Sequence, residues 1–269
     1  LHGVASSVPL WSKNIEILKH HYRCIALDLP GHGYSTKSDF SYTMKFYTDV
    51  VIEFIQQLGL YSVTLVGMSM GAQISVKAAL QMPRTIIQLI LIGPSGIEPY
   101  MPWERYSIIH SMLAIVSSGN AFLHSRLNYL IGFCYELEPA YELISQQAFF
   151  ENESTEFNRM LFRSVEGIVL EPIHTQLNQV QQPCLVLVAE HDIVSPYNFI
   201  RPERFINMAE RQTKKISHAQ FVRVKKGGHF LPYQEPDVVN TAIKNFMKDC
   251  LMYKEYSQQK AMTVNQSIN

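Results

Sequence analysis

The chain has 269 residues, is 47% hydrophobic and sets 23 Lys+Arg against 23 Asp+Glu, a net charge of zero. That length and apolar content fit one large domain with a buried core and exclude a disordered chain. Charged residues make up 17% against roughly 25% in ordinary soluble domains, which leaves no electrostatic footprint for nucleic acid or an anionic membrane.

In chain order, His2-Gly3 is followed by an amphipathic helix over 11–18 and an apolar strand over 24–29. A helical stripe over 44–58 carries Val50, Val51, Phe54, Ile55 and Leu58 and ends at Gly59. A strand over 62–67, a helix over 72–80 and a strand over 88–93 come next, with Pro83 stopping the helix. After a long interruption, strands over 184–189 and 221–224 lead to a closing helix over 236–251. The strand runs are apolar on both faces, as a parallel sheet covered by helices on both sides requires. The alternation predicts an α/β doubly wound sheet.

The connection from Gly93 to Pro183 is, at about 90 residues, far too long for an ordinary loop between a helix and a strand. It is read as a helical lid over 95–174, with helical segments at 103–116, 122–134 and 140–150. The core then comprises 1–94 and 175–252, and 253–269 is a polar, mobile tail. No run approaches the roughly 18 apolar residues that span a bilayer, so no transmembrane anchor is expected. Four cysteines (Cys24, Cys134, Cys184, Cys250) lack Cys-x-x-Cys spacing. They read as reduced, mostly buried thiols, the basis for a cytoplasmic assignment, and neither a metal site nor a cofactor is expected.

Gly67-Met-Ser69-Met-Gly71 matches Gly-x-Ser-x-Gly, and it falls where a predicted strand runs into a predicted helix. Such a turn holds a serine hydroxyl up at the carboxyl edge of a sheet. A hydroxyl is a poor nucleophile at neutral pH, so it needs a base, and the base needs an orienting acid. Of ten histidines, only His229 follows the serine in a glycine-bearing loop after a strand and before the last helix. For the acid, the strand over 184–189 runs into Glu190-His-Asp192, and Asp192 has the better spacing, with Glu190 as its competitor. Asp28 precedes the serine and is read as a brace for the loop 30–33, where His32 is a packing residue. The negative charge of acyl transfer needs two N–H donors, assigned to the amides of Met70 and Val4. Gly3 lets the first of these loops turn toward the site.

With these stretches in place, the chain resembles the α/β-hydrolase superfamily, in its lid-bearing serine esterase and C–C hydrolase branch. The resemblance rests on Leu1-His-Gly3, Leu27-Asp-Leu-Pro-Gly-His-Gly-Tyr-Ser35, Val66-Gly-Met-Ser-Met-Gly71, Glu190-His-Asp192 and Gly227-Gly-His-Phe-Leu-Pro232. It implies that Ser69 attacks a carbonyl, His229 shuttles the proton and Asp192 holds the imidazole, with water releasing the acyl-enzyme. Serine at the nucleophile position disfavours the family's dehalogenases and epoxide hydrolases. The C–C hydrolases carry tryptophan after the catalytic histidine where this chain has Phe230, which lowers that alternative. The expected substrate is an apolar acyl or aromatic ester, with an acyl chain on a protein or coenzyme carrier also open. A ligand-binding protein on the same fold is the third reading. The resemblance further implies strands ahead of Leu1, about 25–50 residues by usual strand and turn lengths, and hence a gap in the sheet as the chain stands.

Overall fold

The structure is a computed structural model that describes residues 1–117 and 155–266. Its centre is a four-stranded parallel sheet in the order β1 (Val63–Met68), β2 (Ile86–Ile92), β3 (Cys184–Ala189), β4 (Ala219–Val224). Successive residues of a strand point to opposite faces, and here both faces are apolar. Cys184, Val186 and Val188 of β3 join one core, while Leu185, Leu187 and Ala189 join the other. Every residue of β3 is buried, which is why its sequence reads as one unbroken apolar run.

The first core packs α2 (Met44–Gln57), α3 (Met70–Gln81), α5 (Thr155–Leu170) and α7 (Phe205–Thr213) on one face. The second packs α1 (Ser12–Leu18), α8 (Leu231–Gln234) and α9 (Pro236–Gln266) on the other. α4 (Pro102–Ser117) leads out of the sheet after β2, and α6 (Tyr197–Ile200) is a single turn after β3. The helix expected over 103–116 is α4, while those expected over 122–134 and 140–150 lie outside the described residues. The return from this excursion is fastened to the core. Gln73 Nε2 on α3 donates to the carbonyls of Ile168 and Glu171 at 3.2 and 2.8 Å. The Glu171 carboxylate accepts the amides of Met44 and Lys45 at 3.0 Å each, capping the positive end of α2.

Three expectations are corrected. Residues 24–29 form no ladder, because a strand needs a neighbour for its backbone groups. Between Ile25–Leu27 and the residues of β1 lies a cavity of about 670 Å³, also lined by Trp11, Phe54, Ile243 and Met247. Leu1 bridges to that edge, its terminal amine donating to the Val66 carbonyl at 2.6 Å and its carbonyl accepting from the Met68 amide at 3.0 Å. At the other end, α9 continues to Gln266 where a polar tail was expected from 253. Residues 253–262 contain no glycine or proline and are rich in Lys, Glu, Gln, Met and Ala, strong helix formers that need no apolar stripe. Finally, of the three described cysteines only Cys184 is buried; Cys24 and Cys250 are half-buried, and all three are free. No described helix is long and apolar enough to cross a membrane.

Candidate active site

Ser69 sits between β1 and α3 with φ 53° and ψ −118°, a region that a residue with a Cβ occupies only where the surroundings force it. Its amide donates to the Ile92 carbonyl at 2.9 Å, and its carbonyl accepts the amides of Ala72 and Gln73 at 3.0 and 3.2 Å. The turn is thus pinned to the end of β2 on one side and to the first turn of α3 on the other. The flanking glycines serve close approach. A Cβ on Gly67 would lie 2.4 Å from the Gly71 carbonyl oxygen, and one on Gly71 would lie 2.4 Å from the Leu1 carbonyl oxygen. The strain resides in the serine itself.

His229 and Asp192 meet across two loops. His229 Nδ1 and Asp192 Oδ2 are 2.9 Å apart, and the two side chains are 11% and 2% exposed. The ionised carboxylate can only accept, so Nδ1 carries the proton and Nε2 is left as the basic nitrogen. The Phe230 ring packs edge-on against the imidazole at 5.9 Å between centroids. Gly227 has φ +77°, and the Gly228 amide donates to Gln234 Oε1 at 2.8 Å, so the loop is held rather than free. The Asp192 turn is braced from within. Its Oδ1 accepts the Val194 amide at 3.2 Å, and its carbonyl accepts Asn198 Nδ2 at 3.1 Å. Asn198 also donates to the Ser195 carbonyl at 3.3 Å and accepts the Phe205 amide at 2.9 Å. The competitor Glu190 is half-buried, and its backbone carbonyl is taken by Arg204.

Gly93 connects these groups. It follows Ile92, the partner of the Ser69 amide, and has φ +48°. A Cβ there would lie 2.9 Å from Asp192 Oδ2 and 3.4 Å from His229 Nδ1. The serine turn and the Asp192–His229 pair therefore both border the end of β2, the first through Ile92 and the second through Gly93.

The first loop is close by, since a Cβ on Gly3 would lie 3.1 Å from Ser69 Cβ. His2 is fully buried, and its Nε2 accepts the Leu29 amide at 3.0 Å. Its Nδ1–H therefore donates to the Gly3 carbonyl at 2.7 Å, the neutral tautomer. Burial holds its basicity well below the usual histidine value, and His32, with ring centroids 4.9 Å away, adds to that. In a trans peptide the N–H opposes the carbonyl, so fixing the Gly3 oxygen on His2 turns the Val4 amide to the other side. Ala5 follows with φ 51°. Met70 opens α3, and the first amides of a helix have no partner within it. Asp28 braces this region as expected, its Oδ1 accepting the Val8 amide at 2.7 Å and its Oδ2 the Tyr34 amide at 3.0 Å. His32 is buried with Nδ1 3.1 Å from the Pro30 carbonyl; burial lowers its pKa to about 4. No three His, Cys, Asp or Glu side chains gather into a metal-binding group among the described residues.

Sequence reasoning missed Gly93 and Asn198. A glycine closing an apolar strand is a signal that the chain passes something closely. Asn198 carries no signal beyond the habit of asparagine of bonding nearby backbone.

The chain belongs to the alpha/beta hydrolase family, whose sequence model matches residues 1–242. Over 92% of its length it is 25% identical to the uncharacterized hydrolase YugF of Bacillus subtilis, of which it covers 88%. The carboxylesterase YbfK of the same organism is 24% identical over 92% of this chain and 78% of its own. Among solved structures, a thermophilic esterase from Thermogutta terrifontis superposes with a TM-score of 0.75 at 22% identity, over 92% of this chain and 88% of that one.

Proposed function

We propose that this hydrolase cleaves carboxylic esters of largely apolar acyl or aromatic substrates through an acyl-enzyme. Ser69 is the nucleophile, His229 the base and Asp192 the orienting acid. The observation that carries this reading is the convergence at the end of β2, where a strained serine turn bonds to Ile92 and a hydrogen-bonded Asp–His pair borders Gly93. Nε2 of His229 takes the Ser69 proton as Oγ attacks the carbonyl, and the imidazolium is stabilised by Asp192. The oxyanion is held by the amides of Met70 and Val4, the latter aimed by the neutral His2. The imidazolium then protonates the leaving alcohol, and a water activated by the same nitrogen releases the acid.

A fluorophosphonate probe tests the nucleophile directly. Labelling of the folded wild type at Ser69, lost in Ser69→Ala, is the expected result. A folded protein that does not label would leave the fold as a ligand binder and sink the reading. p-Nitrophenyl esters of rising chain length, run beside a ring-cleavage dienoate, separate ester from carbon–carbon bond hydrolysis.

A further inference from the structure

The turn that carries Asp192 is also gripped from outside, by a carboxyl group the triad does not use. Glu98 lies in the connection from β2 to α4 and is only 4% exposed. The Ser195 hydroxyl donates to Glu98 Oε1 at 2.8 Å and accepts the Tyr197 amide at 3.3 Å. The Tyr100 hydroxyl lies 3.4 Å from Ser195 Oγ. Glu98 Oε2 is buried with no hydrogen-bond partner among the described residues. A bare oxygen is tolerable on a neutral carboxyl and strongly unfavourable on an ionised one. Burial pushes the Glu98 carboxyl up, and the negative charge of Asp192 adds to that. Oε1 accepts from the Ser195 hydroxyl whether the carboxyl is ionised or neutral.

A second grip lies close by. Glu104, fully buried in the first turn of α4, pairs with Arg201 through Oε1 to Nε at 2.7 Å and Oε2 to Nη2 at 2.9 Å. The stretch 195–201 is thus fastened at both ends to 98–104. Packing alone does not account for a buried acid with an unsatisfied oxygen, since an apolar side chain of similar volume fills such a place at lower free energy.

We propose that Glu98 is a positioning residue for the triad's acid: through Ser195 it fixes the turn that aims Asp192 at His229, and it ties that turn to the foot of α4. The inference rests on Asp192 acting as the orienting acid. Asp192 Oδ1 is bonded to the Val194 amide, next to Ser195, so a slip at Ser195 is passed directly to the carboxylate.

The test uses the full chain, with a p-nitrophenyl ester as substrate and fluorophosphonate labelling of Ser69 alongside. Ser195→Ala removes one hydroxyl and leaves the packing. It and Glu98→Ala are each expected to lower kcat about 10- to 100-fold, the scale for slight misplacement of a reacting group, with KM within about threefold because ground-state binding is untouched. The double variant falls no further than the lower single, since both break one link. Glu98→Gln, whose carboxamide oxygen also accepts from Ser195, stays within about threefold of wild type in kcat. Wild-type kcat in folded Ser195→Ala, additive losses, or failure of Gln to rescue each overturn the positioning role while the triad stands. Wild type that neither labels nor turns over removes the triad, and the role of Glu98 with it.

Discussion

Replacing Gly93 by alanine adds one methyl group where β2 meets the Asp192–His229 pair. With φ at +48°, a residue bearing a Cβ costs about 1–2 kcal/mol in backbone strain. The new carbon would stand 2.9 Å from Asp192 Oδ2, against an ordinary C···O approach of about 3.3 Å, so the carboxylate retreats by roughly 0.4 Å. The bond to His229 Nδ1 starts at 2.9 Å and is stretched past the useful limit of about 3.2 Å. An imidazole without its orienting partner is expected to lower kcat at least ~10²-fold. Melting temperature should fall by only about 2–8 °C, as roughly 1–2 kcal/mol implies for a chain of this size. Gly59→Ala is the matched control: φ is +58° there and nothing lies within 4 Å of the added carbon. Both variants carry the strain, and only Gly93→Ala carries the displacement. Steady-state kinetics on an ester, with thermal melts of both proteins, make the comparison. Equal kcat in the two variants would refute the reasoning.

Acid stability follows from His32. Its folded pKa of about 4 lies below the unfolded 6.5, so the unfolded chain takes the proton first and stability falls as pH drops from about 6.5 to 4. At pH 4.5 the loss is about 2.5 kcal/mol. Urea titrations at pH 7.5 and 4.5 should find at least that loss in wild type, since the buried His2 adds in the same direction, and a loss smaller by about that amount in His32→Asn; an unchanged drop excludes His32 as a source. Asn198→Ala cuts the ties from the Asp192 and Ser195 carbonyls to the Phe205 amide, and kcat is expected to fall about tenfold with KM unaltered. A matching rise in KM instead would assign Asn198 to substrate binding. Ser69→Ala should lower kcat by several orders of magnitude, since the members of such a triad act as a unit; untouched hydrolysis would place the nucleophile elsewhere.

The parts of the fold that sequence made legible are those whose cause is local. β3 is apolar at every position because each residue enters one of two cores, and its bounds coincide with the run 184–189. The serine turn is legible because two backbone approaches below 3 Å admit only glycine at positions 67 and 71. Residues 24–29 show the opposite case: their composition is that of a strand, but a ladder is a property of two segments and depends on what lies alongside. The loop before His229 is held in the same way, by a tether from Gln234 of the next helix that its two glycines do not announce. Glu98, Ser195 and Asn198 were beyond reach for the same reason. Each matters through a partner that only the folded chain brings near, and a glutamate after an isoleucine carries no mark of burial.

Gln73 and Glu171 have a consequence for engineering. They moor the descending end of the excursion to α3 and α2, while Glu98 and Glu104 moor its ascending end. Between these ties α5 is itself part of the first core through Phe157, Met160 and Leu161, so a foreign segment that keeps both moorings has to enter after α4 and leave before α5. The frame is in this respect a socket: the roots of an exchanged segment stay fixed while the serine turn and the Asp192–His229 pair keep their own ties.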